Sequence, residues 1–178
     1  MRKLIVCCSL LFILLLLAAS ASAQAVYAAG HRARLQFGGG GLALRNDYSA
    51  HAAEGVAIWG DYDFSRNLGV EGAVHFGGIR APDRIGERSY AFGPRVVFRR
   101  GRMSVFGTLV AGQGTISNQR YNTASTYNLF GYGGGLEYLI AEHLNLRLGD
   151  VEVQRWHSFP PHGLAPLSFV VGVSYVLF

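Results

Sequence analysis

The chain has 178 residues and a formal net charge of +5, and half of its residues are hydrophobic. Charged residues make up only 15% of it, against about 25% in soluble domains, which argues against a surface that faces water on every side. The basic balance alone would fit nucleic-acid binding. The arginines are scattered along the sequence instead of clustered, however, so we set that class aside.

The first predicted element is a leader. Arg2 and Lys3 form a short basic region, the apolar run "LIVCCSLLFILLLLAA" follows, and "ASA" then offers small residues for cleavage, which is the pattern of a secretory signal peptide. The alternative, a membrane-anchoring helix, needs roughly 20 apolar residues, and this run is shorter. Both cysteines lie in it, so no disulfide is expected later. We predict a signal peptide over 1–23 and one domain over 24–178.

The rest of the chain alternates in polarity with a period of two residues, in segments of about ten residues, which is the pattern of half-buried β-strands. No helical periodicity interrupts it. The pattern predicts eight strands, at residues 33–45, 53–64, 68–78, 88–98, 103–114, 125–139, 144–154 and 166–178.

Short and long connections alternate between these strands. "SRN", "RRGR" and "AEH" are tight turns, whereas "NDYSAHA", "IRAPDRIGE", "TISNQRYNTA" and "WHSFPPHGLA" are longer. An even number of strands with short turns at one end and longer loops at the other is typical of a transmembrane β-barrel, and closure leaves no strand edge unpaired in lipid. We therefore predict an all-β fold, an eight-stranded antiparallel up-and-down transmembrane β-barrel.

The two faces of each strand differ in side-chain size. Bulky residues such as Phe92 and Val173 share one face, and glycine, alanine, serine and isolated charges share the other. A secreted ligand-binding barrel of the lipocalin kind is the alternative, but it would be apolar inside. An eight-stranded barrel has room only for side chains, so the small and charged face should be the lumen. Serine at Gly172, on that inner face, is expected to be mild.

The alternation slips once, in "RLGDVEV". Leu146 and Leu148 should face lipid, and so should Val151 and Val153, which is impossible in a regular strand. A bulge at Gly149–Asp150 would restore the alternation and turn Asp150 and Glu152 inward.

These features together resemble the OmpA-like family of eight-stranded outer-membrane barrels. "WGDYDFSRNLGVEG" resembles the family's strand, tight turn and strand unit that ends in Gly-x-Glu-Gly, and "GYGGGLEYLIAEHLNLRLGDVEV" resembles its glycine-rich strand, short turn and arginine-bearing strand. The resemblance covers most of residues 31–178. It implies the outer membrane of a Gram-negative bacterium, both termini in the periplasm, and a barrel-only member without a peptidoglycan-binding domain.

The terminal Phe178 resembles the signal that the outer-membrane assembly machinery reads. The family usually has an aromatic residue two positions earlier on the same face, where this chain has Val176. The assembly signal is therefore expected to comprise Tyr175 and Leu177, with Phe178 as a frayed end.

Four charges are expected to meet in the lumen near the tight turns. Glu71, Arg95, Glu137 and Arg147 each lie three or four residues from a tight turn, on the inward face. A charge in a narrow interior is costly unless it is paired, so we expect one Glu/Arg network that plugs the barrel. The alternative is a wet lumen with unpaired charges.

Other motifs carry weaker functional readings. The glycine runs at 38–41 and 133–135 could bind phosphate only if a helix followed; thinning a narrow barrel wall explains them better. Ser158 beside His157 could belong to a lipid-modifying enzyme, but neighbours on a strand point to opposite faces. His157 and His162 lack carboxylate or cysteine partners for a metal. We predict no catalytic residue, cofactor or metal site, with His75 a hydrogen-bonded lumen residue.

The functional expectation is a monomeric barrel with a structural or adhesive role through its four long loops. A narrow gated channel is the second choice and a lipid-modifying enzyme the third. The expected partners are outer-membrane lipid, lipopolysaccharide and the assembly machinery.

Overall fold

The computed structural model describes residues 33–45, 52–79, 85–118, 123–157, 159 and 163–178. The predicted signal peptide lies outside them. Within them the chain forms eight strands: β1 (Arg34–Arg45), β2 (Ala53–Asp63), β3 (Leu68–Ile79), β4 (Ile85–Arg100), β5 (Met103–Asn118), β6 (Thr123–Ala141), β7 (Leu144–Trp156) and β8 (Leu167–Val176).

Each strand pairs antiparallel with the next in sequence, and β8 closes the sheet onto β1. The predicted eight-stranded antiparallel barrel is confirmed. The three tight connections lie at the end of the barrel where β1 begins and β8 ends, as in outer-membrane barrels with periplasmic turns. In the described part of the chain, no helix has the length and apolarity needed to cross a bilayer.

The strands alternate between an exposed outer face and a buried inner face. On β4, for example, Tyr90, Phe92 and Phe98 are exposed, whereas Arg95 and Val97 are fully buried. The exposed face is bulky and apolar, and such a surface is stable only in a solvent of hydrocarbon. The inner face therefore holds the polar and small side chains of the chain.

Three central strands extend further than the sequence predicts. The segments 79–87 and 115–124 were expected to be loops, but β4 begins at Ile85 and β5 runs to Asn118. The pairing of β5 with β6 continues from Thr115↔Thr126 to Asn118↔Thr123. Backbone hydrogen bonding continues here without an apolar face, so the ladder extends beyond the point where the hydrophobic alternation ends.

The irregularity of β7 lies one residue earlier than predicted. The register with both neighbouring strands shifts between Arg147 and Asp150, so the extra residue lies at Leu148–Gly149. Beyond the bulge Asp150 and Glu152 are buried in the lumen and Val151 is exposed outside. The bulge thus separates two inward-facing stretches that a regular strand would place on opposite faces.

The last residues of the chain remain attached to the sheet. The Leu35 amide donates to the Phe178 carbonyl (3.1 Å), and the Leu177 amide donates to the Leu35 carbonyl (2.8 Å). Tyr175 and Leu177 are exposed on the outer face, Val176 points inward, and Phe178, after the end of β8, is exposed. The expectation of a frayed Phe178 is wrong, because β1 begins early enough to pair with it.

Glycines on the inner face make room for the two tryptophans of the barrel. A Cβ at Gly38 would overlap the ring of Trp59, and one at Gly114 would overlap the ring of Trp156. Gly172 is equally tight, since a Cβ there would meet the β1 backbone and the Trp59 ring. The expectation that serine at Gly172 is mild is therefore wrong.

We expect Gly114→Ala to lower the free energy of unfolding by about 1–3 kcal/mol, the usual cost of overpacking, because the added Cβ would overlap the buried Trp156 ring. Urea unfolding in lipid vesicles measures it. Gly41→Ala is the matched control, since Gly41 faces outward and a Cβ there meets nothing within 4 Å. Equal costs for the two variants would contradict this packing.

Candidate functional site

The candidate site is the cluster of charges in the lumen at the tight-turn end of the barrel. Two arginines form its centre, Arg95 from β4 and Arg147 from β7, and both are buried. Their strands lie on opposite sides of the barrel, separated by β5 and β6 on one side. The two guanidinium groups therefore meet across the lumen.

Arg147 is held by four carboxylates. Its Nη2 lies 3.0 Å from Asp61 Oδ2, 3.1 Å from Glu71 Oε2 and 3.0 Å from Glu137 Oε1. Its Nη1 lies 2.8 Å from Asp150 Oδ2. Asp150 reaches this position because of the bulge that precedes it in β7.

Arg95 shares three of those carboxylates. Its Nη1 contacts Glu71 Oε2 at 2.7 Å and Asp61 Oδ2 at 3.1 Å, and its Nη2 contacts Glu137 Oε2 at 2.9 Å. The four residues singled out in the sequence thus lie in one cluster, with Asp61 as a fifth member common to both arginines. Bifurcated contacts of this kind tie the opposite walls of the barrel together.

The cluster continues toward the tight turns through Asp63. Arg99 forms an ion pair and hydrogen bond with Asp63 Oδ2, and Arg95 Nε lies 3.7 Å from Asp63 Oδ1. Arg99 also donates to the Arg66 carbonyl in the turn between β2 and β3 (2.8 Å). This second layer anchors the network to the end of the barrel.

Two amide side chains satisfy further carboxylate oxygens. Gln36 Nε2 donates to Asp61 Oδ2 (2.6 Å) and to Glu137 Oε1 (3.2 Å). Asn145 Nδ2 donates to Glu137 Oε2 (3.1 Å) and to Gln36 Oε1 (3.2 Å). Asp61 and Glu137 thereby gain donors that lower the cost of burying their carboxylates.

Aromatic rings cover the arginines. The guanidinium carbons of Arg95 and Arg147 lie 4.1 Å and 4.6 Å from the centroid of the Phe106 ring, and that of Arg147 lies 4.4 Å from the Trp59 ring. A cation against a ring face is attracted by the ring quadrupole, more strongly where water is excluded. The rings also fill the lumen beside the charges.

Carboxylates outnumber arginines in the described ion pairs, five to three. Arg95, Arg99 and Arg147 form these ion pairs, and their partners are five carboxylates: Asp61, Asp63, Glu71, Glu137 and Asp150. Asp61 Oδ1 is buried without a hydrogen-bond partner among the described residues. Arginines are therefore the scarcer partner here, and Arg95 and Arg147 each contact four carboxylates.

The lumen nearer the loops holds a smaller polar chain. Trp156 Nε1 donates to Gln154 Oε1 (2.9 Å), and Gln154 Nε2 donates to Glu152 Oε1 (2.6 Å) and, at 3.5 Å, to Ser89 Oγ. His75 is buried beside them on β3, directly opposite Ser89 in the register. Its Nδ1 has no partner in the described part of the chain, so the expected hydrogen bond is not made through that atom.

Described residues of the connection between β7 and β8 lie over this end of the lumen. The Trp156 amide donates to the Leu164 carbonyl (2.8 Å), and the Leu164 amide donates to the Trp156 carbonyl (3.2 Å). Leu164 is buried with Leu129 and Val110, and Tyr127 and Phe159 pack against them. The barrel is thus filled by an apolar layer at the loop end and by the charge network at the turn end.

Sequence reasoning missed part of the network. Asp61, Asp63, Gln36, Asn145 and Arg99 were not assigned to it, although the alternation of "VAIWGDYDF" already places both aspartates on the inner face. Matched distance from a tight turn identified the glutamates and arginines, and the same criterion applies to Asp61, which lies four residues before the turn at 65–67.

No site for other chemistry emerges from the described residues. His157 is exposed at the loop end of β7, and Ser158 and His162 lie outside the described residues. No group of three or more histidine, cysteine, aspartate or glutamate side chains there could hold a metal ion. The charged network consists of ion pairs and hydrogen bonds between side chains that fill the turn end of the lumen.

The comparisons with solved structures give the fold. Neisserial surface protein A superposes with a TM-score of 0.66 at 11% identity, over 80% of this chain and 96% of that one. Ail, the attachment invasion locus protein of Yersinia pestis, solved with the heparin analogue sucrose octasulfate, gives 0.55 at 16% identity, over 82% and 97%. OprG of Pseudomonas aeruginosa gives 0.52 at 11% identity, over 83% and 97%.

The sequence was also compared with curated proteins and with models of protein families. No curated protein matches the sequence significantly. The model of the outer membrane protein β-barrel domain, by contrast, matches residues 11–176, which includes every strand of the barrel. With the closed eight-stranded fold and its apolar outer face, this match shows that the chain belongs to the outer-membrane-protein β-barrel family.

Proposed function

We propose that this outer-membrane barrel is a structural protein whose lumen is plugged by the network around Arg95 and Arg147, and which offers its loop end for contacts at the cell surface. The observation that carries the proposal is the set of buried ion pairs between opposite walls. An ion that passes the lumen would have to displace these pairs, and stranding a buried charge is costly.

The apolar layer at the loop end supports the same function. Leu129, Leu164 and Trp156 are nearly fully buried in the barrel mouth, so water meets a hydrophobic constriction before it meets the charges. Hydrophobic constrictions oppose conduction by dewetting. Two different barriers in series favour a closed barrel over a wet pore.

A narrow gated channel is the second candidate, and the shared contacts favour it. Asp61, Glu71 and Glu137 each contact both arginines. Exchange of partners within the cluster would keep every carboxylate paired while the side chains move. Such an exchange is the route by which a path for ions would open.

The extension of β5 and β6 supports the surface role. It carries hydroxyl side chains, among them Thr115 and Thr126, whose oxygens lie 2.9 Å apart. A hydroxyl-rich hairpin beyond the apolar band suits hydrogen bonding to another molecule at the cell surface.

Bacteria that express the barrel should adhere to a host-cell layer less well when Thr115, Ser117, Thr123 and Ser125 are changed to alanine. Unchanged adhesion at equal surface expression would contradict this part of the proposal.

Ion release from vesicles tests the closed lumen. Vesicles loaded with potassium chloride and containing the refolded protein should retain potassium as long as protein-free vesicles do. Release that scales with the amount of folded barrel would favour the channel.

A further inference from the structure

On the loop side of the barrel, three of the described arginines lie on the outer face of their strands. Arg45 on β1, Arg88 on β4 and Arg155 on β7 are exposed, and none forms an ion pair with a residue that the structure describes. Arg95, Arg99 and Arg147 inside are all paired. The outward arginines therefore have unused capacity to bind an anion.

These arginines mark the edge of the apolar band. On β4 the outward positions Phe98, Val96, Phe92 and Tyr90 are apolar, and Arg88 is the next outward position toward the loops. On β7 the outward residues Val151 and Val153 precede Arg155, and on β1 Ala43 precedes Arg45. All three cations thus stand where the hydrocarbon ends on the loop side, at the level of lipid headgroups.

Arg45 and Arg155 form a pair across β8. Leu167 of β8 is the register partner of both Arg45 and Val153, and Arg155 lies two residues beyond Val153 on the same face. Two strand spacings of about 4.8 Å and two residues of about 3.4 Å each place the two Cα atoms roughly 12 Å apart. Among the described residues, the nearest outward carboxylate is that of Glu54 on β2, the register partner of Ala43, and it forms no ion pair with Arg45.

The strip between the two arginines is apolar. Leu167 and Phe169 are exposed there, directly below the level of the cations. A ligand that fits this surface carries negative groups above and acyl chains below. Guanidinium groups bind phosphate through two parallel hydrogen bonds, and basic sites on membrane proteins bind anionic headgroups in this way.

We propose that Arg45 and Arg155, with Leu167 and Phe169 between them, bind a phosphorylated glycolipid of the outer leaflet, of the lipid A class. Arg88 is a separate cation on the far side of the barrel, held over the Phe76 ring at 5.1 Å. The paired site requires both its arginines, since one phosphate contact alone leaves the lipid free to rotate away. The proposal is independent of whether the lumen conducts.

The test measures lipid binding by the full barrel refolded in phosphatidylcholine vesicles that contain a small fraction of bisphosphorylated lipid A. We expect the double variant Arg45→Gln/Arg155→Gln to bind it on the order of tenfold or more weakly than wild type, because two charge-assisted contacts are lost. Arg100→Gln/Arg102→Gln is the matched control, since it removes the same charge from exposed positions at the opposite end, and it should bind as wild type does.

Two further arms identify the ligand. Dephosphorylated lipid A should not bind to the site, and inorganic phosphate should not displace lipid A. Displacement by inorganic phosphate would replace the lipid by free phosphate as the ligand and overturn the proposal. Equal binding by the double variant and wild type, or an equal loss in the control variant, would also overturn it.

Folding of each variant is checked by its change in gel mobility on heating. If the glutamine pair does not fold, Arg45→Lys/Arg155→Lys gives the second test, because lysine keeps the charge and loses the bidentate geometry. Lipid A binding several-fold weaker than wild type supports the site, and unchanged binding contradicts it.

Discussion

Arg147→Met is expected to lower the free energy of unfolding by about 3–5 kcal/mol, the cost of breaking a buried ion pair from one side. Methionine fills much of the space, so the loss is electrostatic. The change leaves Asp150 without its ion-pair partner. Three further carboxylates keep only one of their two arginines: Asp61, Glu71 and Glu137. Urea unfolding in lipid vesicles measures the effect, and water that enters the lumen would reduce it.

Glu137→Gln should cost less than Arg147→Met. Carboxylates outnumber arginines in this cluster, so each arginine keeps other partners when Glu137 is neutralised, and the amide still accepts a hydrogen bond. The smaller cost of Glu137→Gln follows from the excess of carboxylates over arginines in the network. In an isolated ion pair, the two changes would cost about the same. A glutamine variant as unstable as the methionine variant would contradict that reading.

Glu137→Gln and Arg147→Met together should cost less than the sum of the two single changes. The double variant removes both members of the pair, so neither of them is left behind as a charge that has lost the other. The same holds for Glu71→Gln with Arg95→Met, which share the 2.7 Å contact. Interaction energies of about 0.5–3 kcal/mol are usual for residues of one network. Additive effects in both cycles would mean that the residues are solvated separately.

Val173→Arg is expected to cost about 2–4 kcal/mol, the value for an arginine near the bilayer midplane on a barrel's lipid face. Val173 lies near the middle of β8 with its side chain exposed outside. Phe92→Arg, on the outer face of β4, should behave similarly. Both effects are measured by unfolding in lipid vesicles.

Met103→Arg is the matched control for depth. Met103 is also exposed on the outer face but begins β5 beside the tight turn, where the cost of arginine falls to about 0–1 kcal/mol. Equal costs at Met103 and Val173 would argue that no hydrocarbon surrounds the barrel. Milder effects at Val173 than at Met103 would favour a soluble barrel turned inside out.

The sequence predicts the barrel well because the membrane imposes its pattern. Lipid outside and a narrow lumen inside require strict alternation, and Tyr90, Phe92, Arg95 and Val97 obey it. The pattern weakens beyond the hydrocarbon, where Thr115 and Asn118 continue a strand without an apolar face. Loop lengths were therefore overestimated there.

The lumen was predicted only in outline. Distance from a tight turn is readable in sequence, and it singled out Glu71, Arg95, Glu137 and Arg147. The partners are decided by the closure of the sheet, which brings Asp61 of β2 against Arg95 of β4 and Arg147 of β7. The tight fit of Gly172 against the Trp59 ring is likewise a property of the closed barrel, since β1 lies between their strands.

Single-channel recording in planar bilayers tests the plugged lumen most directly, with wild type and two double variants compared. Glu137→Gln/Arg147→Met keeps the lumen filled and should be as silent as wild type. Glu137→Ala/Arg147→Ala removes the side chains that cross the lumen and should give discrete ion-conducting openings. Openings of the wild-type barrel as large and as frequent as those of the alanine variant would contradict a lumen closed by the Arg95–Arg147 network.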